Sequence, residues 1–320
     1  EIRFCDWSSD VCSSDLKNAD LALYLAKSEG RGAYRFFEQE LDRRMRERRQ
    51  LELDLRQAIL QSEFELHYQP IFDLRDDQIG GFEALLRWNH PTRGVIAPDQ
   101  FIPLAEETGL IVPIGDWVLR QACADAATWT GDLEVSVNVS PVQFRNVTLV
   151  ESVLGALTSA GLAPSRLELE ITETVLLHNS DATLAILHQL RALGVHIAMD
   201  DFGVGYSSLS YFQNFPFDKI KLDRSFIKGL SEGNSSLAIL RAVASLGANL
   251  DIVTTAEGVE TAEQLEQIRR EGISQIQGYL ISPPRPVEEI SELVESPARN
   301  EDVSASSASE EADAGSRKRA

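Results

Sequence analysis

"VHIAMDDFGVGYSS", residues 195–208, closes an apolar run with two adjacent aspartates, Asp200 and Asp201, and follows them with glycines and serines. The apolar half reads as a buried strand, and the Gly/Ser half as a loop. A sheet or barrel interior tolerates one buried carboxylate badly and two worse. Side by side, two carboxylates raise each other's pKa unless a positive charge stands between them. The pair therefore points to a cation that the sequence itself does not supply.

The same alternation extends on both sides of this stretch. Strand-like runs are "FELHYQPIFDL", "IGGFEALLRW", "LEVSVNVS", "RLELEIT", "VHIAMDD", "FDKIKLD", "IVTTAEG" and "SQIQGYLI". Helical patterns such as "PIGDWVLRQACADAATW" and "SSLAILRAVASLG" lie between most of them. "RDDQ", residues 75–78, joins the first two runs as a hairpin, which makes one strand antiparallel. The rest alternate β and α, as in a parallel sheet with crossover helices. The pattern predicts an α/β (β/α)8-type barrel, with a doubly wound open sheet as the alternative.

In such a barrel the chemistry sits at the C-terminal strand ends. Glu83 and Arg87, Asn138, Glu170 with Glu173 just after, Asp200 and Asp201, Lys221 and Asp223, Glu257 and Glu260, and Gln277 all fall there. A single such residue would be an ordinary solvated rim. Seven strands delivering one each is a constellation. Carboxylates and an amide are hard oxygen donors suited to Mg²⁺ or Mn²⁺. Adjacent aspartates suit two ions about 3.5–4 Å apart, a geometry that favours in-line displacement at phosphorus. Lys221 would hold the attacking water or offset phosphate charge, and Arg87 would fork onto a phosphate oxygen. Phosphodiester hydrolysis is the natural reaction class. An aminopeptidase or an enolase-type enzyme would use similar acids.

Composition narrows the field. The 320 residues are 43% apolar and carry a formal net charge of −20. That charge opposes a nucleic-acid polymer as partner, and an anionic substrate would be drawn in by local metal charge. No run of about 18 apolar residues or signal peptide is present. Cys5, Cys12 and Cys123 and the five scattered histidines lack zinc spacing. Few cysteines suit a reducing cytoplasm.

The flanks differ from the centre. "DWSSDVCSSDL", residues 6–16, has no hydrophobic period and resembles the translation of a sequencing adapter, so residues 1–16 are expected to be non-native. Residues 39–61 read as a charged linker helix, residues 62–295 as the barrel domain, and residues 296–320 as a disordered low-complexity tail.

"EALLRW" (83–88), "YQPI", "NVS", "LEITET", "DDFGVGYSSL", "KLDRSFI", "AEGVET" and "QGYL", in this order, resemble the motifs of the EAL domain family. The likeness runs over roughly residues 51–294. It implies a TIM-like barrel with one antiparallel strand, and a phosphodiesterase that opens cyclic di-GMP to linear pGpG with two Mg²⁺ or Mn²⁺ ions. It implies Glu83, Asn138, Glu170 and Asp200 as ligands of one ion, and Asp200, Asp201 and Glu257 as the set for the other. Glu257 matches the position often assigned as general base. Lys221 resembles the lysine that orients the water, with Gln277 beside it. Glu173 matches the residue that braces the loop after the fifth strand. Gln69, Leu85 and Arg87 match contacts to the dinucleotide, and Asp223 and Glu260 have supporting places. Val204 departs from the threonine or alanine common in that loop. A catalytically silent cyclic di-GMP receptor is the alternative function. The family also implies a homodimer through the barrel. "NADLALYLAKSEGRGAYRFFE", residues 18–38, resembles the last helix and strand of a GGDEF domain whose catalytic part is absent. The expected parent is a GGDEF–EAL tandem with upstream sensory domains, cytoplasmic or membrane-anchored through its missing N-terminus.

Overall fold

The computed structural model describes residues 39–145, 148–177, 181–203, 217–231 and 234–295. The adapter-like segment, the GGDEF-like fragment, Val204 and the low-complexity tail lie outside the described residues.

Backbone contacts divide the chain after Gln61. The described part of the first unit is helix α1 (Gln39–Gln61). It carries charges at i, i+3 and i+4, with Glu52 bridging Arg49 at 3.0 Å and Arg56 at 3.1 Å.

The second unit is a closed barrel. Its strands are β1 (Phe64–Asp73), β2 (Gln78–His90), β3 (Gly94–Ile96), β4 (Glu134–Asn138), β5 (Leu167–Thr172), β6 (His196–Phe202), β7 (Lys219–Leu222), β8 (Val253–Glu257), β9 (Gln275–Gln277) and β10 (Arg285–Pro286). The ring runs β1-β9-β8-β7-β6-β5-β4-β2 and closes through the β1–β2 pairing. β1 is antiparallel to both neighbours, and the other ring strands are mutually parallel. The expected eight strands with one reversed are thus the ring. β3 and β10 are short antiparallel additions too brief to read from periodicity. In the hairpin turn, the Asp73 carboxylate accepts the N–H groups of Arg75 and Asp76.

Helices α2 (Pro98–Thr108), α3 (Ile111–Ala126), α4 (Leu149–Ala160), α5 (Asp181–Ala192), α6 (Asn234–Leu250) and α7 (Ala262–Glu271) connect the strands. Strand alternation sends one set of side chains toward these helices. Leu167, Leu169 and Ile171 of β5, Ile197 and Met199 of β6, and Ile220 and Leu222 of β7 are buried. The helices bury apolar stripes of their own, such as Val153 and Leu157 of α4 and Leu187 and Leu190 of α5. The other set points into the barrel and is polar. Ser136, Glu168, Glu170, Lys219, Lys221, Thr255 and Gln277 are all buried. The apolar core therefore lies between sheet and helices, and the barrel interior is mostly polar, with Ile71 and Ala198 among its apolar members. Among the described residues no helix is long and apolar enough to cross a membrane.

Candidate active site

At the C-terminal ends of the strands, four carboxylates converge on one lysine. Lys221 Nζ lies 2.7 Å from Glu170 Oε2, 2.8 Å from Glu257 Oε1, and 3.5 Å from both Glu83 Oε2 and Asp200 Oδ1. Lys221 is 1% exposed. Two amides extend the cluster. Asn138 donates to Glu83 Oε1 at 2.6 Å. Gln277 donates to Glu83 Oε2 at 2.6 Å and to Gln69 Oε1 at 3.1 Å, and Gln69 in turn donates to the Ser282 carbonyl.

Local backbone geometry aims these groups. A regular strand would send Asp200 and Asp201 to opposite faces. Here the β6–β7 register shifts between Met199 and Phe202, and Asp201 adopts φ 53°, the left-handed region. The break keeps Asp201 near its neighbour. Gly203 follows at φ 95°, where an added Cβ would meet the Phe226 ring at 2.7 Å. Its N–H donates to Glu173 Oε1 at 3.1 Å, which ties the loop after β6 to the end of β5. At the end of β9, Gly278 sits so close that a Cβ would stand 2.1 Å from the Val259 carbonyl oxygen. That contact and the Val259 N–H to Gln277 carbonyl bond lash Gln277 to the strand end bearing Glu257.

One ammonium cannot balance four carboxylates. Burial works against the charge on Lys221, but Asp200, Glu170, Glu257 and Glu83 outweigh it and hold its pKa well above the ordinary lysine value. Burial, aided by Glu83, pushes Glu170 well up. Burial pushes Glu257 up to about 8, with Lys221 opposing and Asp200 adding. Burial would also raise Glu83, yet Lys221 and the amides of Gln277 and Asn138 hold it below the ordinary carboxylate range. Burial and then Asp200 raise Asp201.

Several oxygens in the cluster are short of donors. Glu170 Oε1 is buried without a hydrogen bond, and so are Asp200 Oδ1 and Glu257 Oε1 apart from their ion-pair contacts with Lys221. Among the described residues no three His, Cys, Asp or Glu stand ready in metal-binding geometry, since the Lys221 ammonium occupies the centre of the carboxylates. The donor set is nevertheless all hard oxygen, once Asn138 turns its amide oxygen inward, and suits a divalent cation.

Beside the cluster a cavity of about 470 Å³ opens between β2, β4, β5 and helices α2 and α3. Leu85, Arg87, Ile102, Ile114, Asn138 and Glu170 are among its lining residues. Two expected residues make other contacts, Asp223 also adding its charge to the surroundings of Asp201. Asp223 caps the short helix Arg224–Lys228 by accepting the Ser225 N–H at 3.0 Å. Glu260 offers its backbone N–H to Gln264 at the start of α7.

Reading the strand ends alone missed a second polar level. Below the cluster, Lys219 meets Glu168, Ser136 donates to Glu168, and Thr255 donates to Gln275. The signal was present as polar doublets at i and i+2: "SVN", "ELE", "KIK" and "QIQ".

A family model described as "EAL domain" matches residues 52–284. The chain belongs to the EAL domain family. An uncharacterized signaling protein of Caulobacter vibrioides is 54% identical over 273 residues, 85% of this chain and 34% of that protein. The bifunctional diguanylate cyclase/cyclic di-GMP phosphodiesterase MucR of Pseudomonas aeruginosa is 46% identical over 277 residues, 85% of this chain and 40% of that protein. The chain thus spans between 34% and 40% of the length of these two relatives. Among solved EAL structures, the PaMucR phosphodiesterase in complex with c-di-GMP superposes with a TM-score of 0.73 at 46% identity. It covers 75% of this chain and 99% of that chain. The EAL enzyme Bd1971, bound to cAMP and cyclic-di-GMP, gives a TM-score of 0.74 at 32% identity, covering 78% of this chain and 69% of that one.

Proposed function

We propose that this EAL domain hydrolyses cyclic di-GMP to linear pGpG with the help of two divalent cations, Mg²⁺ or Mn²⁺. The observation that carries the reading is the convergence of Glu83, Glu170, Asp200 and Glu257 on one buried lysine, with Glu170 Oε1 left without a donor and Asp200 Oδ1 and Glu257 Oε1 reached by that lysine alone. Glu83, Asn138, Glu170 and Asp200 would hold one cation, and Asp200, Asp201 and Glu257 the other. Bound there, the cations would supply Lewis acidity toward the phosphodiester and lower the pKa of water. Lys221 sits among four carboxylates that favour its charged form, and as an ammonium it donates hydrogen bonds only. It orients the attacking water and offsets charge developing on phosphorus. Glu257 stands 2.8 Å from Lys221 and receives the proton of that water. Arg87, Leu85 and Gln69 position the dinucleotide, Arg87 through its guanidinium and Leu85 through its apolar contact with a base. Glu173 braces the chain just after the strand that carries the aspartate pair, accepting the Gly203 N–H.

The test is incubation of the protein with cyclic di-GMP and Mg²⁺ or Mn²⁺, followed by chromatography. Linear pGpG should appear, and chelator should abolish it. Binding of cyclic di-GMP without turnover would replace this reading with that of a receptor.

A further inference from the structure

We propose that Lys219 and Glu168 are positioning residues that keep Lys221 and Glu170 available to the cation site, an inference that rests on the phosphodiesterase reading above. β5 carries glutamate twice, at 168 and 170, and β7 carries lysine twice, at 219 and 221. Alternation points all four into the barrel. Between these strands runs β6, whose residue at this level is Ala198, opposite Glu170 on one side and Lys219 on the other. Its methyl group leaves the space through which Lys219 reaches across to β5. Lys219 Nζ lies 2.9 Å from both carboxylate oxygens of Glu168. The Ser136 hydroxyl donates to the same carboxylate at 2.7 Å, and Glu134 Oε2 stands 3.9 Å from Lys219. Lys219 and Glu168 are both buried, at 4% and 1% exposure.

Each member protects the upper level from the other. Glu168 lies two residues, about 6.6 Å along the strand, below Glu170. Without Lys219 it would be a fifth carboxylate drawing Lys221 downward. Without Glu168, Lys219 would be a second ammonium beneath Glu170 and would compete for that carboxylate. The two losses therefore act on a divalent cation with opposite signs. An unbalanced anion below the site favours the cation, and an unbalanced ammonium opposes it. A pair that merely held the fold would move both variants the same way.

The experiment is a calorimetric titration of Mn²⁺ into the chelator-treated full chain, with kcat for cyclic di-GMP measured at saturating Mn²⁺. Wild type, K219M, E168Q and the double variant are compared. E168Q should bind Mn²⁺ about tenfold more weakly, and K219M about three- to tenfold more tightly with a kcat about tenfold lower. The double variant should return both quantities to within about threefold of wild type. Shifts in the same direction, or none, overturn the inference. A wild type that bound no Mn²⁺ would overturn the phosphodiesterase reading and this inference together. If a single variant does not fold, the crystal structure of wild type with Mn²⁺ decides. Lys219 seated on Glu168 supports the inference, and Lys219 seated on Glu170 overturns it.

Discussion

Lys219 and Lys221 stand two residues apart on one strand, each buried among carboxylates, and their surroundings are built on different accounts of charge. Around Lys219 the nearest acids are Glu168 and Glu134, and Ser136 and His196 complete their hydrogen bonding. Around Lys221 there are four acids and two amides, and oxygens remain short of donors. A buried ion pair holds its charge only when geometry and further hydrogen bonds offset desolvation. The lower cluster meets that condition with its own residues. The upper cluster does not, and that deficit is what the proposed cations would offset.

The largest way to break this contrast is to remove upper acids. Glu83→Ala and Glu257→Ala should each lower turnover by about 10³-fold or more, whereas Glu168→Gln at saturating cation should stay within about tenfold of wild type. Equal losses in a steady-state assay would erase the distinction between the clusters. Stability should run the opposite way. In chelator-treated protein, Glu168→Gln should cost about 3 kcal/mol in urea unfolding, because buried Lys219 loses its nearest carboxylate and keeps only Glu134 at 3.9 Å and a contest for Glu170. Glu257→Gln should cost nothing and gain up to about 1 kcal/mol, because it relieves repulsion among the upper carboxylates. Destabilisation by both would show that the upper cluster is balanced without a cation.

The upper cluster also differs in opening onto the cavity that Arg87 and Leu85 line. Arg87→Ala should raise KM about tenfold with little change in kcat. A loss confined to kcat would place Arg87 in the chemical step instead.

The smallest effect belongs to the lower cluster. His196 lies 3.4 Å from Glu134, and that contact, opposed by burial, raises its pKa above the ordinary 6.5. Asp218 and Glu168 add to the shift. A raised histidine pKa adds stability that is fully present below about pH 6.5 and is lost as pH rises through the raised native value. With 38% of the His196 side chain exposed, His196→Gln should cost less than about 1 kcal/mol. The cost should show in melting temperature at pH 5.5 and vanish near pH 9. A cost that grew with pH would contradict the sign.

Much of this was legible in the residues. Eight runs with a hairpin between the first two gave the strand count and the one reversed strand, because strand period and turn chemistry are local properties, while an open doubly wound sheet remained the alternative until the β1–β2 and β1–β9 pairings closed the ring. β3 and β10 were not legible, since two or three residues carry no period. The upper site was visible because the acids fall at strand ends, where a barrel gathers them. The Lys219–Glu168 pair showed in the residues only as the doublets of "KIK" and "ELE". A lysine at the start of a strand reads as solvent-facing until closure of the barrel shows that both faces of β7 are covered. The αL turn at Asp201 was hidden, because an aspartate in a strand carries no mark of the register break that lets it stay beside Asp200.

The most direct test of the contrast is the Mn²⁺ stoichiometry of the chelator-treated wild type and Glu83→Ala, measured by calorimetry. The wild type should bind two ions per chain, and the variant should lose at least one. A wild type that binds none, or a variant that binds both as before, would contradict the assignment of the unbalanced acids to a divalent cation site.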